Sequence, residues 1–241
     1  MERGVKDSVQ PQWRPQLTRE EQRVGWVFFG LYLFVLPFLV GLVTRLLEEH
    51  LELGFTAAQS SAIYYLAVLL LLVAVFWDFL KNAWRILRDN TRQNIFALAA
   101  GFVGGLLATT LASLIPLPVE NPVIADYKAQ FLQSPGYTAA VVMFLRPLAE
   151  EILYRGLLFG SLRKKSRPVA YAVSAGLFAL MAVWQFAILP DGGPVYLLLA
   201  LRYLPLGAAL TWAYDVGGSV LTPMALRVIL NGLFLVFALI A

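Results

Sequence analysis

The chain has 241 residues, of which 59% are apolar and 14% charged, with no cysteine and a formal net charge of +4. Soluble domains are about 45–50% apolar and 25% charged, so this composition argues against a water-soluble globule and for the bilayer as solvent. Without cysteine there are no disulfides, no thiolate metal sites and no cysteine nucleophile.

A membrane span needs about 20 predominantly apolar residues. Stretches free of Asp, Glu, Lys and Arg, extended where a charge must be enclosed, predict an all-α integral membrane protein with about seven transmembrane helices. They are expected near 24–45, 57–78, 94–116, 138–162, 169–189, 195–214 and 219–240. Residues 1–23 read as a polar tail and not a signal peptide, because the apolar stretch behind them has full bilayer length and lacks a small-residue cleavage site. Proline and glycine punctuate the rest. Ile115-Pro116-Leu117-Pro118 and Asn121-Pro122 are expected to close helix three, and Ser134-Pro135-Gly136 to precede helix four. Tight hairpins are expected at 190–194 and 215–218. The count of seven changes by one if residues 129–137 form a re-entrant or interfacial segment. No repeat or low-complexity tract interrupts the chain.

Basic residues fall mainly on one side. Arg3, Lys6, Arg14, Arg19 and Arg23 are in the tail, Lys81, Arg85, Arg88 and Arg92 follow helix two, and Arg163, Lys164, Lys165 and Arg167 follow helix four. The other side holds Arg45 and Lys128. The positive-inside rule then predicts a cytoplasmic N-terminus and a C-terminus across the membrane. Because these cations are divided among separate loops, they suit anionic lipid headgroups, and no nucleic-acid partner is expected. Lys81, Arg85, Arg88 and Arg92 recur at steps of four, three and four, one face of a helix. With Trp84 as anchor, 78–92 reads as either an interfacial helix or an ordinary positive loop.

The chemistry is sought among charges that a bilayer should exclude. Arg146, Glu150, Glu151 and Arg155 lie in helix four, Arg202 in helix six and Arg227 in helix seven. Each costs from about 2.5 to more than 10 kcal/mol at the bilayer centre unless paired or hydrated. Arg146 and Glu150 are i,i+4, as are Glu151 and Arg155, so the helix can pair them itself. The two glutamates point about 100 degrees apart, which lets one serve an ion pair while the other faces a cavity. Arg202 is placed either to pair with a glutamate or to snorkel outward. The single histidine, His50, sits with Glu48, Glu49 and Glu52 at the outer end of helix one and reads as a solvated helix end.

Glu150-Glu151-x-x-x-Arg155, followed by Gly156, resembles the first motif of the CPBP intramembrane proteases, which include CAAX-processing endopeptidases and bacteriocin-processing and self-immunity proteins. Phe178-Ala179-Leu180-Met181-Ala182 stands where that family has Phe-x-x-x-His, and Arg227-Val228-Ile229-Leu230-Asn231 where it has His-x-x-x-Asn. The resemblance covers about 138–236. It implies a CPBP/CAAX-protease-like core over 138–241, the last four helices, preceded by the tail 1–23 and three helices with their loops over 24–137. It also implies Glu150 as the base that activates water, Glu151 and Arg155 as a structural pair, and Asn231 as an oxyanion donor.

Two motif positions depart from the family. Position 182 is alanine and position 227 is arginine, so both histidines are absent. A metal held by glutamate, two histidines and asparagine would retain only carboxylate and amide oxygens, too few and too hard for zinc. No metal or other cofactor is therefore expected. Losing an oxyanion donor or an acid–base partner lowers rate by about 100-fold or more each. Arg227 has two open roles, a buried bidentate ion pair with Glu150 or an oxyanion-binding cation. Trp184 and Gln185 follow the degenerate second motif and read either as core packing, the reading preferred, or as a polar contact in place of the missing histidine.

Three functions follow. The first is a catalytically degenerate homologue, a pseudoprotease, that binds a membrane-embedded or lipidated protein partner. The second is an active endopeptidase using Glu150, Arg227 and Asn231. The third is a transporter or channel lined by the intramembrane charges.

Overall fold

The structure, a computed structural model, describes residues 16–51, 54–188 and 192–240; side chains at 40, 44, 47, 48, 50 and 51 lie outside that description. The readings of His50, Glu48 and Glu52, of the tail's first residues and of part of the 190–194 hairpin therefore fall outside the described residues. Among the described residues every regular element is a helix.

The first expected span is two helices, α1 (Arg19–Phe34) and α2 (Leu36–Leu51), with a bend of 52° between α1 and the first part of α2. Pro37 explains the break, because its ring and missing N–H cannot continue the ladder from α1. Thr18 caps α1 in a reciprocal box with Glu21. The next span, α3 (Ala57–Val75), is capped in the same way by Thr56 and Gln59. At Phe76, which is fully buried, the chain turns into α4 (Trp77–Asp89). That helix buries Phe79 and Ala83 and leaves Trp77 and Trp84 exposed. Next comes α5 (Thr91–Ser113), which packs along the helix described below as α12.

A helix not expected from the sequence follows, α6 (Pro122–Gln133). Asn121 caps it by accepting from the Val123 N–H at 3.1 Å, and Pro122 takes its first position. Asn-Pro thus opens a helix here and does not close helix three. The charged helix then runs unbroken from Pro135 to Arg163 as α7 (Pro135–Ala140), a π segment Val141–Leu145, α8 (Arg146–Glu151), a second π segment Ile152–Phe159, and α9 (Gly160–Arg163). The expected fifth span is interrupted: α10 (Arg167–Met181) ends in a turn at Ala182 and Val183 before α11 (Trp184–Ile188). The Val183 N–H turns back to Leu180 at 3.1 Å, and Val183 and Phe186 pack with Leu199 in a second, smaller core. A 3-10 segment, Pro194–Leu199, leads into α12 (Ala200–Gly217). Asp215 belongs to α12, so the expected 215–218 hairpin shrinks to a turn at Gly218, whose φ of 80° is the left-handed conformation that glycine adopts without strain. The last helix is α13 (Leu221–Ile240).

Among the described residues four helices are long and apolar enough to cross a membrane: α3, α5, the run Pro194–Gly217, and α13, with mean hydropathies of 2.0, 2.0, 1.4 and 2.1. The bent pair at the N-terminus makes a fifth candidate. The charged helix and the interrupted α10–α11 pair occupy the two remaining expected positions. The chain is an all-α integral membrane protein. Its main core gathers Phe29, Leu72, Phe79, Leu157, Phe159, Leu210, Tyr214 and Leu226 around the charged helix.

Candidate functional site

The charged helix is built to be irregular where its carboxylates sit. In the first π segment the Arg146 N–H reaches back to the Val141 carbonyl, five residues away. The same register would ask residue 147 to donate to Val142, but Pro147 has no N–H. The Asn231 side-chain amide fills that need, donating to the Val142 carbonyl at 2.7 Å. Asn231 therefore supports the helix from α13 with one of its amide hydrogens. The resemblance implied an oxyanion donor at this position.

Glu150 and Glu151 are buried, at 5% and 0% exposure, and so are Arg227 at 5% and Arg155 at 0%. Both helical pairs form. Arg146 Nε donates to Glu150 Oε1 at 2.8 Å, and Arg155 Nη1 to Glu151 Oε1 at 3.0 Å. Arg227 joins them: its guanidinium bonds Glu150 Oε2 and, at 3.1 Å, Glu151 Oε1. Tyr32 donates to Glu150 Oε1 at 3.1 Å. Both Glu150 oxygens are thus occupied by donors, while Glu151 Oε2 and the Nε atoms of Arg155 and Arg227 are buried without a hydrogen-bond partner. Three arginines against two glutamates leave the network with one excess positive charge.

Phe178 lies between two cations. The Arg155 and Arg227 guanidinium carbons are 4.6 and 4.8 Å from its ring centroid, within the range of cation–π attraction. Arg155 Nη2 also donates to the Gly207 carbonyl at 3.0 Å. That contact requires glycine: a Cβ at 207 would sit 3.1 Å from the Ala175 backbone, so α12 approaches α10 as closely as it does only because position 207 lacks a side chain.

A cavity of about 670 Å³ opens beside this network. Glu150, Phe178, Ala182, Arg227 and Asn231 all contribute to its wall, with Arg146 and Tyr154. The aligned motif positions on three helices therefore meet on one surface, whereas Glu151 and Arg155 lie behind it. Gln185, for which core packing is the preferred reading and a polar contact the other, is exposed on this wall, because the turn at Ala182 redirects α11. Arg202 is also on the wall and donates to the Ile115 carbonyl at 2.9 Å. Ser161 accepts from Gln22 at 3.0 Å, away from the cavity.

The residues do not fit a divalent metal. Glu150 already accepts two arginines and a tyrosine, Ala182 offers no donor atom, and the Arg227 cation stands where a metal ligand would be needed. Among the described residues no group of three or more His, Cys, Asp or Glu is arranged to hold an ion.

The sequence reading missed Tyr32 and Tyr127. Tyr127 accepts from Arg146 Nη1 at 3.2 Å. Both lie outside the last four helices, and a tyrosine in an apolar stretch carries no spacing signal that would have marked it.

Comparison with curated proteins and with solved structures returns no match. Residues 133–233 match the family model described as type II CAAX prenyl endopeptidase, Rce1-like. This stretch contains Glu150, Glu151, Arg155, Phe178, Ala182, Arg227 and Asn231, and its similarity to that model is consistent with the CPBP family that the Glu150-Glu151-x-x-x-Arg155 motif resembles.

Proposed function

We propose that this chain is a catalytically degenerate relative of the CAAX endopeptidases, whose cavity binds a membrane-embedded or lipidated segment of a protein partner without cleaving it. The observation that carries this reading is Arg227, which bonds both glutamates. A general base needs a free lone pair within hydrogen-bond reach of the water it deprotonates, and both Glu150 oxygens already accept from arginine or tyrosine donors. Ala182 supplies no acid, and Asn231 is engaged with the Val142 carbonyl. The cavity has the size of a small-ligand site. Leu106, Ile124 and Phe237 at its wall are exposed large apolar side chains, as suits a ligand that arrives through the bilayer.

In this reading 138–241 is the binding core and 24–137 its membrane-embedded support. The N-terminus is cytoplasmic and the C-terminus lies across the membrane. Arg85, Arg88 and the exposed Trp77 and Trp84 on α4 would then face cytoplasmic headgroups.

Glu150, Arg227 and Asn231 share one wall, and that single fact favours the competing reading, an active endopeptidase. Reconstitution in liposomes with a prenylated CAAX peptide separates the two. Wild type and Glu150→Ala are expected to bind the peptide without cleaving it, and Ala182→His with Arg227→His is expected to gain cleavage. Cleavage by wild type that is lost in Glu150→Ala would overturn the degenerate reading.

A further inference from the structure

The exposed side of α4 is graded by chemistry. At about 100 degrees per residue, Trp84, Trp77, Arg88, Lys81 and Arg85 fall in that order around an arc opposite Phe79 and Ala83, which are fully buried. Trp77 and Trp84 are exposed at 56% and 62%. Leu80 and Leu87, half-buried, flank the tryptophan edge of the arc, and the exposed Asp78 and Asp89 flank its cationic edge. Around the helix the order is therefore apolar, aromatic, cationic, acidic, which is the order of environments from acyl chains through the interface and the phosphates to water. A loop that obeys a charge bias alone needs cations but no such order.

The cations on this face are available. Lys81 pairs with Asp78 at 2.7 Å and lies 6.0 Å from the Trp77 ring centroid, and Arg88 pairs with Asp89 at 3.3 Å. Both pairs join exposed side chains, and such pairs hold weakly in water. Arg85 makes no ion pair among the described residues. Gln93, just beyond α4, donates to the Val216 carbonyl at 2.6 Å, which joins this surface to the end where Arg163 and Arg167 hold Asp215. Across 78–92 and 163–167 eight lysines and arginines stand against Asp78, Asp89 and Asp215.

We propose that α4 is a docking surface for anionic glycerophospholipids of the surrounding bilayer, with Lys81, Arg85 and Arg88 at the lipid phosphates and Trp77 and Trp84 at the glycerol level. Charge complementarity selects a lipid such as phosphatidylglycerol over phosphatidylcholine, whose own cation offsets its phosphate. The inference goes beyond the cavity reading and does not depend on it, since it needs a chain embedded in a bilayer and no particular activity. On the buried face, Phe79 packs so closely on Gly156 of the charged helix that a Cβ there would sit 2.8 Å from its ring, and its N–H donates to Glu21 at 2.8 Å. Lipid held on the outer face therefore fixes α4 against the bundle, and a ligand of the folded state alone stabilises it.

The test reads the apparent melting temperature of the full chain in neutral detergent as phosphatidylglycerol, phosphatidylcholine or inorganic phosphate is added. Wild type is expected to gain several degrees with phosphatidylglycerol and to change little with the other two. The triple variant Lys81→Gln, Arg85→Gln, Arg88→Gln should lose most of that gain, whereas the double variant Lys164→Gln, Lys165→Gln, at exposed positions of the neighbouring turn, should keep it. Equal gains with the two lipids, or an undiminished gain in the triple variant, would overturn the proposal. An equal loss in both variants would overturn it too, because the whole basic end and not α4 would then attract the lipid. So would a gain with inorganic phosphate that matches the gain with phosphatidylglycerol, since the surface would then take a soluble anion. Tryptophan quenching needs no charge substitution. Phosphatidylglycerol brominated on its acyl chains is expected to quench wild type more than brominated phosphatidylcholine does, an excess that disappears in Trp77→Phe with Trp84→Phe. No excess in wild type, or an excess that survives in that variant, would contradict the docking surface.

Discussion

At the basic end of the bundle, helices distant in sequence are tied by polar side chains. Glu21 of α1 accepts the Phe79 N–H of α4 at 2.8 Å, Ser219 donates to the Ala83 carbonyl at 2.8 Å, and Thr222 donates to Asn94 at 2.5 Å. Gln22 reaches Ser161, and two arginines share Asp215. At the opposite end the described polar ties are sparser: Thr56 with Ser134, Asn121 with Tyr203, Arg146 with Tyr127, and Arg202 with the Ile115 carbonyl. The cavity occupies the space between them. One end is clasped and the other is left open above a layer of buried charge. Stability is therefore expected to reside in the clasp and the charge layer, and ligand access in the open end. Local stability is rarely uniform, and binding regions are drawn from its lower range.

The layer between the ends should be the most sensitive. Glu151→Gln leaves the fully buried Arg155 guanidinium without its carboxylate partner. A loss of about 3–5 kcal/mol is expected for a broken buried pair, read as collapse of the monodisperse peak in detergent size-exclusion chromatography.

At the clasped end, Glu21→Ala removes the acceptor for the first turn of α4, whose own cap residue, Phe76, offers no side-chain hydrogen bond. A charged hydrogen bond of this kind contributes about 1.5–3 kcal/mol, so the apparent melting temperature should fall by several degrees. Gly156→Ala places a Cβ 2.8 Å from the Phe79 ring and should push α4 outward, at about 1–3 kcal/mol. Gly104→Ala meets nothing within 4 Å, and should melt at or slightly above wild type. Equal losses at 156 and 104 would show that close packing under α4 is not what holds the clasp.

At the open end the expected loss of stability is smallest. Asn121→Ala removes the α6 cap and the contact with Tyr203, a change of about 0.5–1 kcal/mol. Its larger effect should be on access: maleimide labelling of Ser113→Cys should accelerate in the Asn121→Ala background. A loss of stability as large as that of Glu21→Ala, with unchanged labelling, would erase the distinction between the two ends.

Much of the charged site is legible in the sequence because helical spacing is local. Arg146 with Glu150 and Glu151 with Arg155 follow from i,i+4 geometry alone, and the motif order on later helices anticipates that Arg227 meets them. What is not legible depends on tertiary context. The turn at Ala182 contains no proline or glycine and arises from Val183 and Phe186 docking on Leu199. The α6 helix was hidden because Asn-Pro both ends and begins helices, and its apolar content is too low to read as a span. Asn231 illustrates a subtler limit. Its bond to Val142 exists only because a π register meets Pro147, and neither feature alone would reveal it.

The central claim is that Glu150 has become the counter-ion of Arg146 and Arg227 and no longer serves as a poised base. The most direct test is the apparent melting temperature of Glu150→Gln, alone and combined with Arg227→Met. Glu150→Gln is expected to melt several degrees below wild type, and Arg227→Met to recover part of that loss by removing an arginine left in excess, a non-additive coupling. Active-site residues are commonly held at the expense of stability. If Glu150→Gln melts at or above wild type, and its effect simply adds to that of Arg227→Met, the claim is contradicted.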